Sequence, residues 1–373
     1  MTTDIDRQYM QECFALALKA EGRTAPNPMV GCVVLDGGGQ VVGRGYHERA
    51  GLRHAEVVAL DQAGEAARGG TLYASLEPCC HHGRTPPCTD RVIAAGVKRV
   101  VAAHPDANPK VAGKGMEALA AAGIETVVGV LTEEAEWINR GFLKRMRLGI
   151  PWLCLKIATT LDGRIADRTG NSRWVSGPES RKRVHELRDK LDAIMVGSNT
   201  LLRDDPQLNV REVVGRDPIR VVIDRSLRFA HDSRFASTKT DALTIVLCGP
   251  QVTEERKLSL PPNFQCICVP EDAHGRIMLA PALEKLAENG INTILCEGGG
   301  KLAGSLLSES LVDELYWIVA PMVLGDPQSR ASIDNGGLLV TMGDAVRFQR
   351  IDSFSCGDDQ WLHLRTTGVV GCP

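Results

Sequence analysis

Three potential zinc ligands and one carboxylate stand at positions from which they could act together. His54 and Glu56 are separated by a single residue, and Cys79 and Cys88 follow later in the chain. A catalytic zinc ion takes three protein ligands and keeps a fourth position for water. A nearby carboxylate that does not bind the metal can move protons between that water and a leaving group. The residue types therefore predict a hydrolytic zinc site.

The spacing of the cysteines departs from the short form of a known motif. H-x-E followed by P-C-x-x-C is the pattern of zinc-dependent nucleobase deaminases, whereas here Cys88 lies nine positions after Cys79. The intervening segment contains Cys80 and His82, which also could contact a metal. A closed structural site with four protein ligands is therefore the alternative, although it would leave Glu56 without a role.

Helix starts are expected to bring these side chains together. We expect one helix over 54–67 and another beginning at Pro78, where the missing N–H of proline costs nothing. Cys79 would then lie at a helix N-terminus, where the dipole favours the thiolate. Upstream, Asn27 and His47 are suited to hold the polar edge of a ring. For Asn27 the alternative is that it only caps the Pro-Asn-Pro turn.

A glycine-rich turn in the second half joins a predicted strand to a predicted helix. The run from Glu297 to Ser305 contains Gly298, Gly299, Gly300 and Gly304. Glycines at such a turn let the backbone approach a phosphate, and the helix N-terminus supplies hydrogen-bond donors. The spacing is not the G-x-G-x-x-G of dinucleotide-binding folds. A tight turn without a ligand is therefore the alternative.

Helices and strands alternate along the chain, which predicts an α/β protein with largely parallel sheets. In the first half we expect helices over 5–17, 54–67, 88–95, 113–122 and 133–145, and strands over 30–35, 41–45, 71–75, 99–103 and 125–130. In the second half we expect helices over 180–190, 280–289 and 301–309, strands over 152–158, 193–197, 219–224, 243–247, 292–296, 313–319 and 360–366, and a surface connection over 226–240. The pattern restarts at Trp152, so we place two domains over 1–149 and 150–373.

Composition narrows the class of protein. The 373 residues suffice for two cores. A net charge of −3 gives no electrostatic footprint for nucleic acid or an anionic membrane. No apolar run approaches the roughly 20 residues of a membrane span, and no secretory leader is apparent. The 12 cysteines are scattered, which favours a cytoplasmic protein with reduced thiols over a disulfide framework.

Four runs in the first half carry a family resemblance: Ala25 to Gly31, Gly45 to His47, His54 to Glu56, and Glu77 to Cys88. Together they resemble the deaminase half of the bifunctional riboflavin-biosynthesis deaminase–reductase family. The resemblance implies a cytidine-deaminase-like α/β/α domain that binds one zinc ion. It assigns His54, Cys79 and Cys88 as zinc ligands and Glu56 as the proton shuttle. Asn27 and His47 would bind the substrate.

Three runs in the second half resemble the reductase half of the same family: Leu155 to Arg164, Ser172 to Val175, and Val196 to Arg211. The resemblance implies a dihydrofolate-reductase-like α/β domain that uses NADPH. It assigns to the cofactor Ala158, Trp174, Thr200, Asp204, Gly299, Gly300, Lys301, Leu302, Ala303, Gly304 and Ser305. It assigns to the substrate Ser172, Arg188, Leu208, Arg211 and Glu297. The alternatives are a solvated charge for Arg188 and a core position for Trp174, and the proton donor is open between Asp204 and Glu297.

The expected function is therefore a zinc-dependent hydrolytic deamination followed by a reduction. The substrate implied is 2,5-diamino-6-ribosylamino-4(3H)-pyrimidinone 5′-phosphate, whose ribosyl group is then reduced to ribityl with NADPH. The resemblance also suggests a homo-oligomer, a dimer or tetramer, without nucleic-acid or membrane partners. The alternatives are a nucleic-acid editing deaminase and a zinc-stabilised nucleotide-binding regulator. The ligand of the NADPH 2′-phosphate is not identified by the sequence.

Overall fold

The computed structural model describes residues 3–81, 86–108, 111–338 and 340–367. The chain divides into two compact units that meet in sequence at Leu148 and Gly149. Within the described ranges, the helices are too short or too polar to cross a membrane.

The first unit is a five-stranded sheet, as far as the chain is described, with helices on both faces. Its strands are β1 (Gly31–Leu35), β2 (Val41–Tyr46), β3 (Thr71–Ala74), β4 (Arg99–Ala102) and β5 (Glu125–Val128). Its helices are α1 (Asp4–Leu18), α2 (Ala55–Ala63), α3 (Cys88–Ala95), α4 (Lys114–Ala121), α5 (Thr132–Ile138) and α6 (Arg140–Leu148). The strand order is β2-β1-β3-β4-β5. β1 is antiparallel to both neighbours, so this sheet is mixed rather than largely parallel.

Alternation along the strands builds two cores, one on each face of the sheet. Cys32 and Val34 of β1 pack with Ala59 of α2. Val33, the residue between them, packs with Phe14 of α1 on the opposite face. Because successive strand residues point to opposite faces, one apolar strand serves both layers, and the result is the predicted α/β/α sandwich.

Two expectations about helices in this unit are wrong. The helix expected over 133–145 is broken at Asn139, which separates α5 from α6. The Asn139 amide accepts from the Met29 N–H at 2.8 Å and donates to the Met29 carbonyl at 2.9 Å. The break therefore fixes the loop that carries Asn27. Pro78 does not begin a helix; Pro87 precedes the next one, and Cys88 is its first residue.

The second unit contains a larger sheet and a small two-stranded one. The strands of the unit are β6 (Trp152–Thr160), β7 (Arg164–Ala166), β8 (Ala193–Gly197), β9 (Ile219–Ile223), β10 (Thr244–Cys248), β11 (Phe264–Cys268), β12 (Thr293–Cys296), β13 (Glu314–Ala320), β14 (Arg330–Ala331), β15 (Phe348–Cys356) and β16 (Asp359–Thr366). Its helices are α7 (Pro178–Lys190), α8 (Ser198–Asp204), α9 (Arg234–Ser237), α10 (Glu254–Leu258), α11 (Leu279–Glu288) and α12 (Gly300–Ser308). The main sheet has the order β11-β10-β9-β8-β12-β6-β13-β16-β15, while β7 pairs with β14.

The parallel part of this sheet runs from β11 to β13, and β16 and β15 add to it in antiparallel fashion. Leu153 and Leu155 of β6 pack with Leu283 of α11 in one core. Val196 and Val222 belong to a second core. Ligands of open parallel sheets bind beyond the carboxyl ends of the strands. The loops after β8, β9 and β12 are therefore placed to form a site.

The sequence did not allow the edge strands and the short helices to be predicted. β11 and β15 lie at the two ends of the sheet, and most residues of β15 are exposed. An exposed edge strand lacks the apolar run by which buried strands are recognised. The connection expected over 226–240 contains only the one-turn helix α9 among its described residues.

Candidate active sites

The three predicted zinc ligands lie together in the first unit. Their donor atoms are all within 4.8 Å of one another. His54 Nδ1 is 3.2 Å from Cys88 Sγ and 3.6 Å from Cys79 Sγ. His54 is the N-cap of α2, Cys88 begins α3, and Cys79 follows β3 on a loop. His54 and Cys88 thus come from two helix starts, whereas Cys79 comes from a loop and not from the helix start expected for it.

The two thiols share a hydrogen bond that separates their pKa values. The Cys88 thiol, and more weakly His54, lower the pKa of Cys79 below its usual range. The same contact, together with burial, raises the pKa of Cys88. The Cys88 N–H also donates to Cys79 Sγ at 3.4 Å. Two cysteines, which bind the metal as thiolates, and one imidazole are the donor set that zinc takes in deaminases, so these residues fit the metal.

Glu56 faces the same cavity, which has a volume of about 370 Å³ and is lined by His54, Cys79, Asn27 and His47 as well. Its side chain is only 3% exposed. Burial, and then the charge of Cys79, raise the pKa of Glu56 to about 7. A buried carboxyl group of this kind can both accept and return a proton.

Asn27 and His47 form a hydrogen-bonded pair on the wall of the cavity. The Asn27 amide nitrogen lies 3.0 Å from His47 Nε2, and His47 Nδ1 lies 3.1 Å from the Arg53 carbonyl oxygen. Burial lowers the pKa of His47. The ring is therefore neutral, donating from Nδ1 and accepting from Asn27, and the pair presents fixed polar atoms to a ligand.

The sequence did not reveal the anchor of the Cys79 loop. Glu77 is buried, and its carboxylate accepts hydrogen bonds from the N–H groups of four described residues, Asp106, Gly113, Gly115 and Met116, at 2.8 to 3.2 Å. These residues include the start of α4. Glu77 therefore ties the loop before Cys79 to a second loop and to a helix N-terminus.

Other potential ligands near the zinc site have different places. His81 lines the cavity, as does Asp106, whose pKa burial raises to about 6. Cys80 is outside the described cluster of three donor residues. His82 lies outside the described residues, so the prediction that it could touch the metal is not examined by the structure.

A cavity of about 270 Å³ in the second unit collects most of the residues predicted for substrate and nicotinamide. Among its lining residues are Ala158, Ser172, Trp174, Arg188, Thr200, Asp204, Leu208, Arg211, Glu297 and Gly299. Trp174 is 60% exposed, so it is not a core residue. The Arg181 guanidinium stacks over its ring at 4.4 Å, a contact that sequence reasoning missed.

Arg188 and Glu297 line this cavity and form a bidentate ion pair. Arg188 Nε and Nη2 donate to the Glu297 carboxylate at 2.7 and 3.1 Å, and Nη1 donates to the Asn209 carbonyl at 2.9 Å. Burial opposes ionisation of Glu297, but Arg188 and Lys156 lower its pKa to about 2. Glu297 is thus ionised at neutral pH and cannot donate a proton there. Arg188 is not a solvated surface charge.

Two further titratable groups in this cavity were missed. Lys156 lines it from the apolar strand β6, and burial lowers its pKa although Glu297 opposes that shift. His185 also lines it, and burial with Arg188 and Arg211 lowers its pKa to about 4. A lysine within the run Leu155-Lys156-Ile157 was the available signal, because charge in a buried strand needs a partner.

A larger cavity of about 550 Å³ adjoins the N-terminus of α12. Its lining includes Thr200, Asp204, Gly299, Gly300, Lys301, Leu302 and Ser305. Ala303 is fully buried in the core, and Gly304 packs so closely that a Cβ would lie 2.2 Å from the Asp334 carbonyl oxygen. A Cβ at Gly300 would meet the Ala331 carbonyl oxygen at 2.4 Å. Gly300 and Gly304 therefore serve close helix packing, and Ala303 and Gly304 do not reach the cavity.

The charge of the larger cavity suits a polyanion. Among its described lining residues are five cations, Arg203, Arg225, Arg276, Lys301 and Arg330, and two carboxylates, Asp204 and Asp334. The helix N-terminus adds further positive potential. A cavity of this size and charge fits a dinucleotide phosphate.

Comparison with known proteins covers both units. A model of the cytidine and deoxycytidylate deaminase zinc-binding region matches residues 3–104. A model of the RibD C-terminal domain matches residues 151–362. Riboflavin biosynthesis protein RibD of Haemophilus influenzae is 41% identical over 379 residues, covering 98% of this chain and 98% of that protein. The chain belongs to the RibD family. RibD of Escherichia coli is also 41% identical, over 96% of this chain and 99% of its own.

Solved RibD structures share the fold. Acinetobacter baumannii RibD has a TM-score of 0.86 at 37% identity and covers 97% of this chain and 99% of its own. A relative from Thermotoga maritima has a TM-score of 0.84 at 33% identity with the same coverage. That protein is described as a diaminohydroxyphosphoribosylaminopyrimidine deaminase/5-amino-6-(5-phosphoribosylamino)uracil reductase. The predicted fold class, a deaminase-like unit followed by a RibD reductase unit, is confirmed, and RibD membership implies zinc and NADPH as the cofactors.

Proposed function

We propose that this chain has both activities named for the Thermotoga relative, the deaminase and the reductase. The first would deaminate the diaminopyrimidine ribosylamine phosphate hydrolytically, and the second would reduce the ribosyl group of the product to ribityl. The observation that carries the proposal is the cluster of His54, Cys79 and Cys88 beside the buried Glu56, because this donor set suits deamination. A coupled assay on the purified protein tests it. Ammonia release should precede loss of the NADPH absorbance band, and the absence of both would refute the proposal.

In the deaminase unit, His54, Cys79 and Cys88 would hold one zinc ion, and Glu56 would handle the protons. Zinc bound there supplies Lewis acidity that brings the pKa of water towards neutrality. Glu56 takes a proton from the attacking water and returns it to the amino group. The ring carbon gains an oxygen, its bond to nitrogen breaks, and ammonia leaves. Asn27 and His47 hold the ring during both steps.

The zinc content of variants distinguishes the metal ligands from residues that only lie near the metal. His54→Ala should lose the one zinc ion per chain, because two thiols alone cannot complete a three-ligand site. Cys80→Ala is the matched control and should retain the metal. Plasma emission spectroscopy of dialysed protein measures both. Retention by His54→Ala together with loss in Cys80→Ala would reassign the ligand set.

In the reductase unit, we assign to NADPH the residues Ala158, Trp174, Thr200, Asp204 and the stretch 299–302 with Ser305. We assign to the substrate Ser172, Arg188, Leu208, Arg211 and Glu297. NADPH bound there supplies the hydride that reduces ribosyl C1 of the ring-opened phosphoribosylamine, and a proton completes the ribityl group. Hydride transfer depends mainly on positioning. Lys156 and Asp204 are the proton-donor candidates, since burial shifts the pKa of each towards neutrality.

Arg211 is the better candidate for the substrate phosphate. Arg188 is neutralised by Glu297, whereas Arg211 Nη1 donates to an amide oxygen, Asn209 Oδ1, at 3.2 Å. Arg211→Ala should raise the reductase KM by about ten- to a hundredfold, the usual worth of a charged hydrogen bond, with little change in kcat. Lys182→Ala, which removes an exposed charge from α7, is the control. An unchanged KM in Arg211→Ala would remove it from the phosphate site.

We further propose a cytoplasmic homo-oligomer that acts on small molecules. The cysteines are scattered through the chain, and those among the described residues form no disulfide, which supports the location. Light scattering on the eluting protein measures the oligomeric state.

A further inference from the structure

The order of strands decides where the two ends of a dinucleotide lie in the second unit. β6 flanks β12 on one side, and β8 and then β9 lie on the other. The nicotinamide must reach the substrate cavity, which Ala158 of β6 lines. With the diphosphate at the start of α12, the adenosine half extends towards β9. That strand is about 10 Å from β12, because neighbouring strands are about 4.8 Å apart.

Directly after β9, Arg225 faces the larger cavity, whereas the side chain of Asp224 is buried. Ile223 and Arg225 line the cavity. Asp224, between them, is fully buried, and its carboxylate accepts from the Arg228 N–H at 2.6 Å. In Rossmann folds an acidic residue about 20 positions after the glycine-rich turn bonds the ribose 2′-hydroxyl of NAD, whereas a nearby arginine accommodates the 2′-phosphate of NADP. The topology here differs, but the same chemistry distinguishes the two dinucleotides. The exposed residue here is the arginine.

Two arginines of the cavity wall, Arg225 and Arg276, are held in place by contacts with residues 271–275. Arg225 Nη1 donates to the Gly275 carbonyl at 2.8 Å and lies 3.6 Å from Glu271. The Arg276 guanidinium pairs with Asp272 at 2.8 Å. A guanidinium has five N–H groups, so each retains donors for a ligand. The Arg225 side chain is 49% exposed, which keeps those donors accessible.

We propose that Arg225, assisted by Arg276, binds the 2′-phosphate of the dinucleotide and selects NADPH over NADH. The inference rests on the proposed reductase function. It adds the residues that recognise the 2′-phosphate, the group by which NADPH differs from NADH. Glu271 and Asp272 offset part of the charge of the two arginines. They are not among the described lining residues, whereas Arg203, Lys301 and Arg330 are.

Calorimetric titration of the full-length, zinc-loaded protein with NADPH and NADH tests the inference without turnover. Arg225→Ala should weaken NADPH binding by about ten- to a hundredfold, the worth of a charge-assisted hydrogen bond, and leave NADH binding unchanged. Arg276→Ala should weaken NADPH in the same selective way but less. Intact NADH affinity also shows that each variant is folded.

Arg350→Ala is the matched control, because it removes one exposed arginine from β15, at the opposite end of the sheet from β11. It should leave both affinities unchanged. Equal losses for NADPH and NADH in Arg225→Ala, or no loss for either, would overturn the inference while the reductase function stands. If the wild-type protein bound neither dinucleotide, the reductase function itself would fall, and the inference with it.

Discussion

Glu56→Gln should abolish ammonia release while the protein retains its zinc. The amide matches the carboxylate in shape, so the buried position at the start of α2 is kept, but it cannot take a proton from water and return it. Proton transfer by a positioned side chain contributes about 10²- to 10⁴-fold to a rate, and we expect a loss in that range. Ammonia release by a coupled dehydrogenase assay and metal analysis of the same sample measure the two properties.

The reductase unit offers an internal control for this variant. Glu56→Gln supplied with the deaminated substrate should consume NADPH at the wild-type rate. Glu48→Gln, which changes an exposed carboxylate in the same unit, should alter neither activity. Undiminished ammonia release in Glu56→Gln would contradict the shuttle role, and loss of zinc would show that Glu56 supports the metal instead.

Glu297→Gln should abolish the reductase activity and destabilise the protein. Glu297 is the acceptor of two hydrogen bonds from Arg188, and its charge also opposes the fall in the pKa of Lys156. Without that charge, two cations face each other in a partly buried cavity. Removing one member of a buried ion pair costs about 3 kcal/mol or more, and the cavity loses the arrangement that positions the substrate.

The pH dependence distinguishes a lost charge from a general packing defect. Because the pKa of Glu297 falls from 4.5 to about 2 on folding, its ionised form stabilises the protein fully above about pH 4.5 and progressively less as the pH falls towards 2. The stability gap between wild type and Glu297→Gln in denaturant titrations should narrow over that window. Glu212→Gln, an exposed carboxylate of the same cavity, should show no such gap. A gap that did not depend on pH would argue for packing.

The cluster of candidate zinc ligands was predictable because zinc chemistry demands particular residue types. His54, Glu56, Cys79 and Cys88 are identified by type and spacing, and the helix expected over 88–95 has those bounds in the structure. The expected helix at Pro78 was wrong because proline tolerates a helix start without causing one. Pro87 is the residue that precedes α3.

The reductase cavity was less predictable because its polar residues come from distant strands and helices. Lys156 lies in an apolar strand and His185 in a polar helix, and only the folded sheet brings them to Glu297. The glycines of the turn after β12 were expected to approach a phosphate. Gly300 lines the larger cavity, but Gly300 and Gly304 also pack closely against the backbone of residues 331–334, a contact that sequence spacing does not reveal.

Glu77 has a consequence for how the metal site is assembled. Its carboxylate fixes the segment before Cys79 through backbone N–H groups, and His54 and Cys88 are fixed by the starts of two packed helices. The donors are thus ordered by hydrogen bonds and an apolar core. In small zinc modules the free energy of metal binding drives folding. Here the fold itself positions much of the donor set, so zinc binding would add to the folding free energy of this unit rather than supply all of it.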